Sequence, residues 1–152
     1  MIAITLENPL HPDLAHLHAR HTEAMHADTP PGSIHMLPAD ALAAPGIAFY
    51  VMRREGAPVG MGAFKHLSGS HAELKSMHVL SEMRGQGLAR VLLEHLIAEA
   101  RAAGISRLSL ETGSQPSFRP ARELYQRAGF TACPPFGSYR PDPNSVFLTR
   151  EI

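Results

Sequence analysis

Cysteine is almost missing from this chain, and so is any surplus of charge of either sign. Cys133 is the only cysteine among 152 residues. No internal disulfide can form, and a reducing compartment is the expected setting. Fourteen basic residues balance fourteen acidic ones, so no net field draws the chain to nucleic acid or to an anionic membrane. No run approaches the ~18–20 apolar residues of a bilayer span. The opening MIAITLENPLHP lacks a basic n-region followed by an apolar h-region, so no secretory signal is expected. The expectation is a cytoplasmic protein without nucleic-acid or membrane partners.

What is present suits one packed domain over residues 1–152. Apolar residues make up 44%, enough for a sizeable core and too many for global disorder. IAITL, residues 2–6, alternates as a strand. HPDLAHLHARHTEAMH then places Leu10, Leu14, Leu17, His21 and Ala24 at helical spacing. Pro30, Pro31 and Gly32 break any regular element, and ADAL adds a short helical turn. From Gly46 to Leu80 the pattern predicts three strands in a meander, punctuated at REGAP and LSGSH. GLARVLLEHLIAEARAAG predicts a long helix ending at Gly104. SRLSLET reads as a strand, PARELYQRAGF as a helix closed by Gly129, and FTAC and SVFLTREI as the last two strands. An antiparallel meander leading into a strand–helix–strand crossover makes a mixed α/β sheet of about seven strands with helices on both faces.

One turn asks for an explanation. In MHVLSEMRGQGLARVLLEHL, Arg84, Gly85 and Gly87 stand where the long helix starts, although glycine costs a helix interior about 1 kcal/mol against alanine. The first N–H groups of a helix have no partner within it, and the helix dipole makes that end positive. A phosphate can accept those donors if side chains stay clear, and Arg84 adds forked donors suited to its oxygens. An ordinary glycine turn is the plain alternative. Neither a Walker loop nor GxGxxG is present, since no Gly-Lys-Ser/Thr occurs here and position 90 is Arg90.

Arg84, Gly87 and Ala89 fit Q/R-x-x-G-x-G/A, and AELKSMHV and ARELYQRAGF flank them in order. Together these resemble the GNAT superfamily of acetyl-coenzyme-A-dependent N-acetyltransferases, over nearly the whole chain. The resemblance implies a mostly antiparallel GNAT-like sheet and acetyl-CoA as acyl donor. It implies that Met77, His78 and Val79 offer backbone groups to the pantetheine arm. It also implies that Arg84, Gly85, Gln86, Gly87, Leu88 and Ala89 wrap the pyrophosphate. Many relatives carry an asparagine seven residues before the motif tyrosine; here that position is Phe118, with Ser114, Ser117 and Arg119 as candidate substitutes.

Acyl transfer to an amine needs a proton acceptor, oxyanion stabilisation and a proton for the departing thiolate. Tyr125 falls on the tyrosine that serves many GNAT enzymes as general acid; its alternative is a core ring beside Leu124 and Phe130. Glu73 resembles the strand glutamate that acts as base in one branch, or else is a solvated flank residue. The backbone N–H of Val79 or of a neighbour is the candidate oxyanion donor. The acceptor is expected to be a small-molecule amine entering between TPPGSIHMLP and PPFGSYRPDPN, with His35, Tyr139 and Asp142 as candidate contacts.

Ten histidines, five of them between His11 and His26, invite a metal site. On one helix His11 and His18 would lie about 10 Å apart along the axis. His18 and His21 lack a completing ligand, and no metal is expected. Cys133 reads as a small hydrophobe rather than a nucleophile. The final strand is a candidate for pairing in a homodimer. The rival functions are a non-catalytic acyl-CoA-binding or sensing domain of the same fold and a metal-dependent regulator.

Overall fold

The apolar stretch from residue 47 to residue 79 folds as the meander its two turns predict. In the computed structural model, which describes residues 1–152, β1 (Ile2–Leu6) pairs antiparallel with β2 (Ile47–Arg54). β2 pairs with β3 (Ala57–Ser68), and β3 with β4 (His71–Val79), both antiparallel. β5 (Arg107–Gly113) lies parallel to β4, β7 (Ser145–Glu151) antiparallel to β5, and β6 (Thr131–Ala132) on the outer edge. The order is β1-β2-β3-β4-β5-β7-β6. A parallel neighbour needs a crossover, and α3 (Leu88–Ala102) supplies it.

Helices cover both faces, as the pattern predicts. α3 buries Leu88, Leu92, Leu93, Leu96, Ile97 and Ala100, an i, i+4 stripe on one side of the helix. That stripe packs on Leu74, Leu108, Leu110 and Leu148, joined by Tyr125 of α4 (Arg119–Arg127) and by Phe130. On the opposite face α1 (Ala15–Asp28) and the short α2 (Ala39–Leu42) bring Leu17 and Leu42 onto Phe49, Val51, Met61 and Ala63. Each fully buried leucine contributes roughly 1.5–3 kcal/mol. No helix is long and apolar enough to cross a membrane.

Two local details differ from expectation. The first helical segment opens as a 3₁₀ turn, Pro12–Leu14, capped by His11, whose ring nitrogen accepts from the Asp13 N–H at 3.2 Å. His11 therefore lies off the face of α1 that carries His18. The strand expected at FTAC shrinks to two residues, because Pro134 and Pro135 cannot donate to a ladder.

Two irregularities of β4 position the site. Lys75 opposes Ala63 and His78 opposes Met61, so Ser76 and Met77 together face the single residue Gly62. Ser76 adopts φ 56° inside this bulge, a left-handed conformation that costs an L-residue roughly 1–2 kcal/mol. A Cβ on Gly62 would stand 2.7 Å from Leu96 Cδ1 and 3.1 Å from Met77 Sδ, so the bare backbone lets both side chains pack without shifting. The second irregularity is an early end to pairing. β4 and β5 match only at His71–Arg107, Ala72–Leu108 and Glu73–Ser109, and beyond Glu73 the strands part.

Near this parting His21 of α1, 6% exposed, tilts against His78 of β4, with ring centroids 5.2 Å apart. Burial, with the His78 ring beside it, pushes His21 down to about 3. Burial, then Arg20 and Arg84, pushes His78 down to about 4. Both rings are neutral in the fold, whereas unfolded histidines protonate near pH ~6.5. Stability is therefore full above pH ~6.5 and is lost as pH falls toward 4, by up to about 1.4 kcal/mol per pH unit for each ring. Urea unfolding should show a less stable protein at pH 5 than at pH 7, and His21→Leu should flatten that difference. Equal stability of the wild type at both values would contradict the buried pair.

Candidate active site

The site begins where β4 ends. Leu80 donates its N–H to Val59 O at 2.9 Å, and a 3₁₀ turn, Ser81–Met83, closes with the Arg84 N–H on Ser81 O at 3.2 Å. The next backbone N–H with an acceptor is that of Val91, on Gly87 O. Between them the six N–H groups from Gly85 to Arg90 donate to no backbone acceptor. Gly85 and Gly87 hold φ 79° and 73°, and a Cβ on either would meet nothing within 4 Å. Their contribution is thus conformational: left-handed backbone aims a row of donors outward at the positive end of α3. Nothing crowds the turn itself.

The neighbours of these donors sort themselves by side chain. Arg84 and Ala89 line the cleft that opens here. Leu88 is buried in the core. The Gln86 side chain turns away, its amide oxygen accepting from Arg54 Nη1, and Gln86 does not line the cleft.

That cleft, about 1110 Å³, runs through the gap between β4 and β5. Met77, His78 and Val79 form one wall. Because the Leu80 N–H faces β3, strand alternation turns the Val79 N–H toward the gap. Tyr125 of α4 lines the opposite wall, 7% exposed. Its ring meets Phe130 edge-on at 5.9 Å, so it packs as a core residue while presenting a hydroxyl to the cleft. Burial alone raises this phenol above its ordinary range, so it keeps its proton at neutral pH. Phe118, at the asparagine position of the family, packs on Gly113. Of its candidate substitutes, Ser114 donates to Pro143 O at 2.7 Å and Arg119 pairs with Glu123 at 2.9 Å. Only Ser117 lines the cleft. Arg122 instead closes the end of β5, donating to Gly113 O at 2.7 Å and Gln115 O at 2.9 Å.

At the other end the structure revises the expected acceptor contacts. Glu73 is neither solvated nor free: it is 4% exposed, accepts from the Tyr139 phenol and pairs with Lys75 Nζ at 3.2 Å. Lys75 Nζ also reaches Tyr139 Oη at 3.1 Å and His35 O at 3.4 Å. The His35 ring stands edge-on to Tyr139 at 5.1 Å. Burial, then Glu73, raises the Tyr139 phenol. Asp142 does not contact the cleft. Its oxygens accept from Ser33 Oγ at 2.6 Å and from the Asn144 N–H at 2.8 Å, which ties two loops together.

Two further cleft residues are not among the expected site residues. Lys75 sits two residues after Glu73 and shares its face of β4, a period-two signal that the sequence does carry. Glu111 lies two residues past Ser109, the β5 partner of Glu73, and therefore on that same face. Its Oε2 accepts from Ser145 Oγ at 2.7 Å, and burial raises its carboxyl.

The histidines take separate places. His18 Nε2 lies 2.9 Å from Pro9 O and its ring stacks on Phe49. No three His, Cys, Asp or Glu residues gather in metal-binding geometry. Cys133 is half-buried, with its thiol raised by burial.

These features have counterparts in known proteins. Residues 12–130 match the Acetyltransferase (GNAT) family. YsnE, an uncharacterized N-acetyltransferase of Bacillus subtilis (strain 168), is 44% identical over 132 residues, 87% of each chain. YedL, an uncharacterized N-acetyltransferase of Escherichia coli (strain K12), is 37% identical over 149 residues, 98% of this chain and 94% of its own. A Salmonella typhimurium chain solved with its cofactor acetyl-CoA superposes with a TM-score of 0.71 at 21% identity, covering 99% of this chain and 94% of that one. The family match takes in the bulged strand, the glycine turn and Tyr125 alike, and the chain belongs to the GNAT family of N-acetyltransferases.

Proposed function

We propose that this chain transfers an acetyl group from acetyl-CoA to the amine of a small-molecule acceptor, by direct attack with both bound. One observation carries the reading. Six consecutive N–H donors have no backbone acceptor, and five of their residues, Gly85 and Gly87 to Arg90, line the same cleft as Tyr125. The donors suit a diphosphate, and the row fits the coenzyme because a peptide turn so exposed has no partner inside the chain. The backbone of Gly85 to Ala89 and the Arg84 guanidinium would hold the pyrophosphate. The unpaired edge of β4 at Met77, His78 and Val79 would hold the pantetheine arm.

When bound, the coenzyme supplies a thioester carbonyl open to attack by an amine. The residues of this chain then divide the remaining work. The Val79 N–H, aimed into the gap, donates to the carbonyl oxygen as charge builds there. Tyr125 gives its proton to the departing sulfur, a task for which a phenol held protonated by burial is suited. A purely binding domain has no use for a protonated phenol that lines the cleft and is committed to no hydrogen bond within the chain, and this favours the catalytic reading. A cytoplasmic setting, where acetyl-CoA is made and used, belongs to the same proposal.

Tyr125→Phe should lower kcat at least about 100-fold while leaving the KM for acetyl-CoA nearly unchanged. Equal turnover, measured as thiol release, would remove Tyr125 from the chemistry. Gly87→Leu places a side chain on a backbone with φ 73° and disturbs the donor row. Calorimetry should show acetyl-CoA affinity falling at least about tenfold, the loss of one or two charge-assisted hydrogen bonds. Undiminished affinity would contradict the diphosphate site.

A further inference from the structure

We propose that Glu111, and not Glu73, receives the acceptor's ammonium group and takes its proton, so that the acceptor is a cationic primary amine. The inference rests on the acetyl-transfer reading above.

Position comes first. Ser109 is the last β5 residue paired with β4, and Glu111 lies two residues beyond it, at the mouth where the strands part. Glu111 lines the cleft on the face that carries Glu73 and Lys75. Its Oε2 holds the Ser145 hydroxyl at 2.7 Å, while Oε1 makes no hydrogen bond in the chain. Glu73 differs in kind. Its Oε2 takes both the Tyr139 phenol and the Lys75 ammonium, and those two groups contact one another at 3.1 Å. Glu73 Oε1 also makes no hydrogen bond, but a proton taken there would cancel the charge that pairs with the Lys75 ammonium at 3.2 Å and leave that buried cation without its counter-ion. Glu73 is therefore a positioning residue.

Charge comes second. The groups facing Glu111 are Glu73 and Lys75 from β4, His35 from the segment before α2, and Ser145 from β7. Lys75 is committed to Glu73, Tyr139 and the His35 carbonyl, so the one cation of this lobe does not pair with Glu111. Glu73 and Glu111 thus outnumber Lys75, and the lobe attracts a cation and repels an acceptor that carries its own carboxylate. Burial raises the Glu111 carboxyl, which brings a carboxylate base nearer to the working pH.

The step balances in protons. Glu111 carboxylate takes one proton from the ammonium and later releases it to solvent through the open cleft. The neutral nitrogen forms the C–N bond and the C–S bond breaks. The sulfur leaves with a proton from Tyr125, which is restored by the second proton that the nitrogen sheds as the amide forms. The net yield is amide, free thiol and one proton.

The test combines an amine panel with two variants. Diamines, polyamines, amino-acid amides and ω-amino acids are offered with acetyl-CoA to the wild type, Glu111→Gln and Glu73→Gln, with thiol release monitored from pH 5 to 9. Carboxylate-free amines should be preferred by the wild type. Glu111→Gln should lose at least about 100-fold in kcat/KM and lose the acidic limb of the pH profile, with its melting temperature and acetyl-CoA Kd unchanged. Glu73→Gln should raise the amine KM yet keep that limb. The proposal is overturned if Glu111→Gln stays within tenfold and retains the limb, or if Glu73→Gln loses it instead. It is equally overturned if carboxylate-bearing amines are preferred, or if acetyl-CoA binds and no cationic amine is turned over. Failure of the wild type to bind acetyl-CoA overturns the acetyl-transfer reading, and this inference with it.

Discussion

The rest of the molecule depends on a parallel ladder only three residue pairs long. β4 and β5 share His71–Arg107, Ala72–Leu108 and Glu73–Ser109, then separate. Had the ladder continued, the backbone groups of β4 beyond Glu73 would have found partners and no cleft would exist. Several local devices hold the strands apart. The bulge at Ser76 and Met77 rotates the end of β4, and bare Gly62 lets Met77 and Leu96 approach. Leu80 returns its N–H to Val59, on the side away from β5. On the far strand Arg122 takes the carbonyls of Gly113 and Gln115, which removes an inducement for the chain to close.

The gap joins two ends of opposite character. At one end stands the positive terminus of α3 with its six free donors, and Arg84, Arg90 and Arg127 on the lining. At the other stand Glu73 and Glu111, with a single lysine between β4 and the Tyr139 loop. A cleft polarised in this way orients a long ligand with an anionic tail and steers a cation to the opposite mouth. Tyr125 stands between them as a neutral donor, kept neutral by its own burial.

Much of this was legible in the chain. The meander, the crossover helix and the helices on both faces come from hydrophobic period, because alternation and i, i+4 spacing report which side of an element is dry. The turn at Arg84–Ala89 was legible as a turn for a related reason: glycine is costly inside a helix, so two of them mark where the helix has not yet begun. Less visible were contacts made across long stretches of chain. Glu73 finds its phenol partner at Tyr139, 66 residues away, and nothing near Glu73 announces that it is engaged. Asp142 looks like a free loop carboxylate until Ser33, 109 residues earlier, is found against it. Glu111 sits in an ordinary strand pattern, and its exposure to the cleft depends only on where the pairing with β4 stops. The 3₁₀ entry to α1 separates His11 from His18, a boundary shift that periodicity does not resolve.

The claim on which the account turns is that the row of amides from Gly85 to Arg90 holds a diphosphate. Backbone amide NMR during a titration with coenzyme A, set against the same titration with pantetheine, tests it most directly. The account predicts that coenzyme A moves the Gly85–Arg90 amide protons downfield as they gain an anionic acceptor, and that pantetheine, which lacks the diphosphate, leaves them in place. Unmoved resonances at those six positions with saturating coenzyme A, or equal shifts with both ligands, would contradict it.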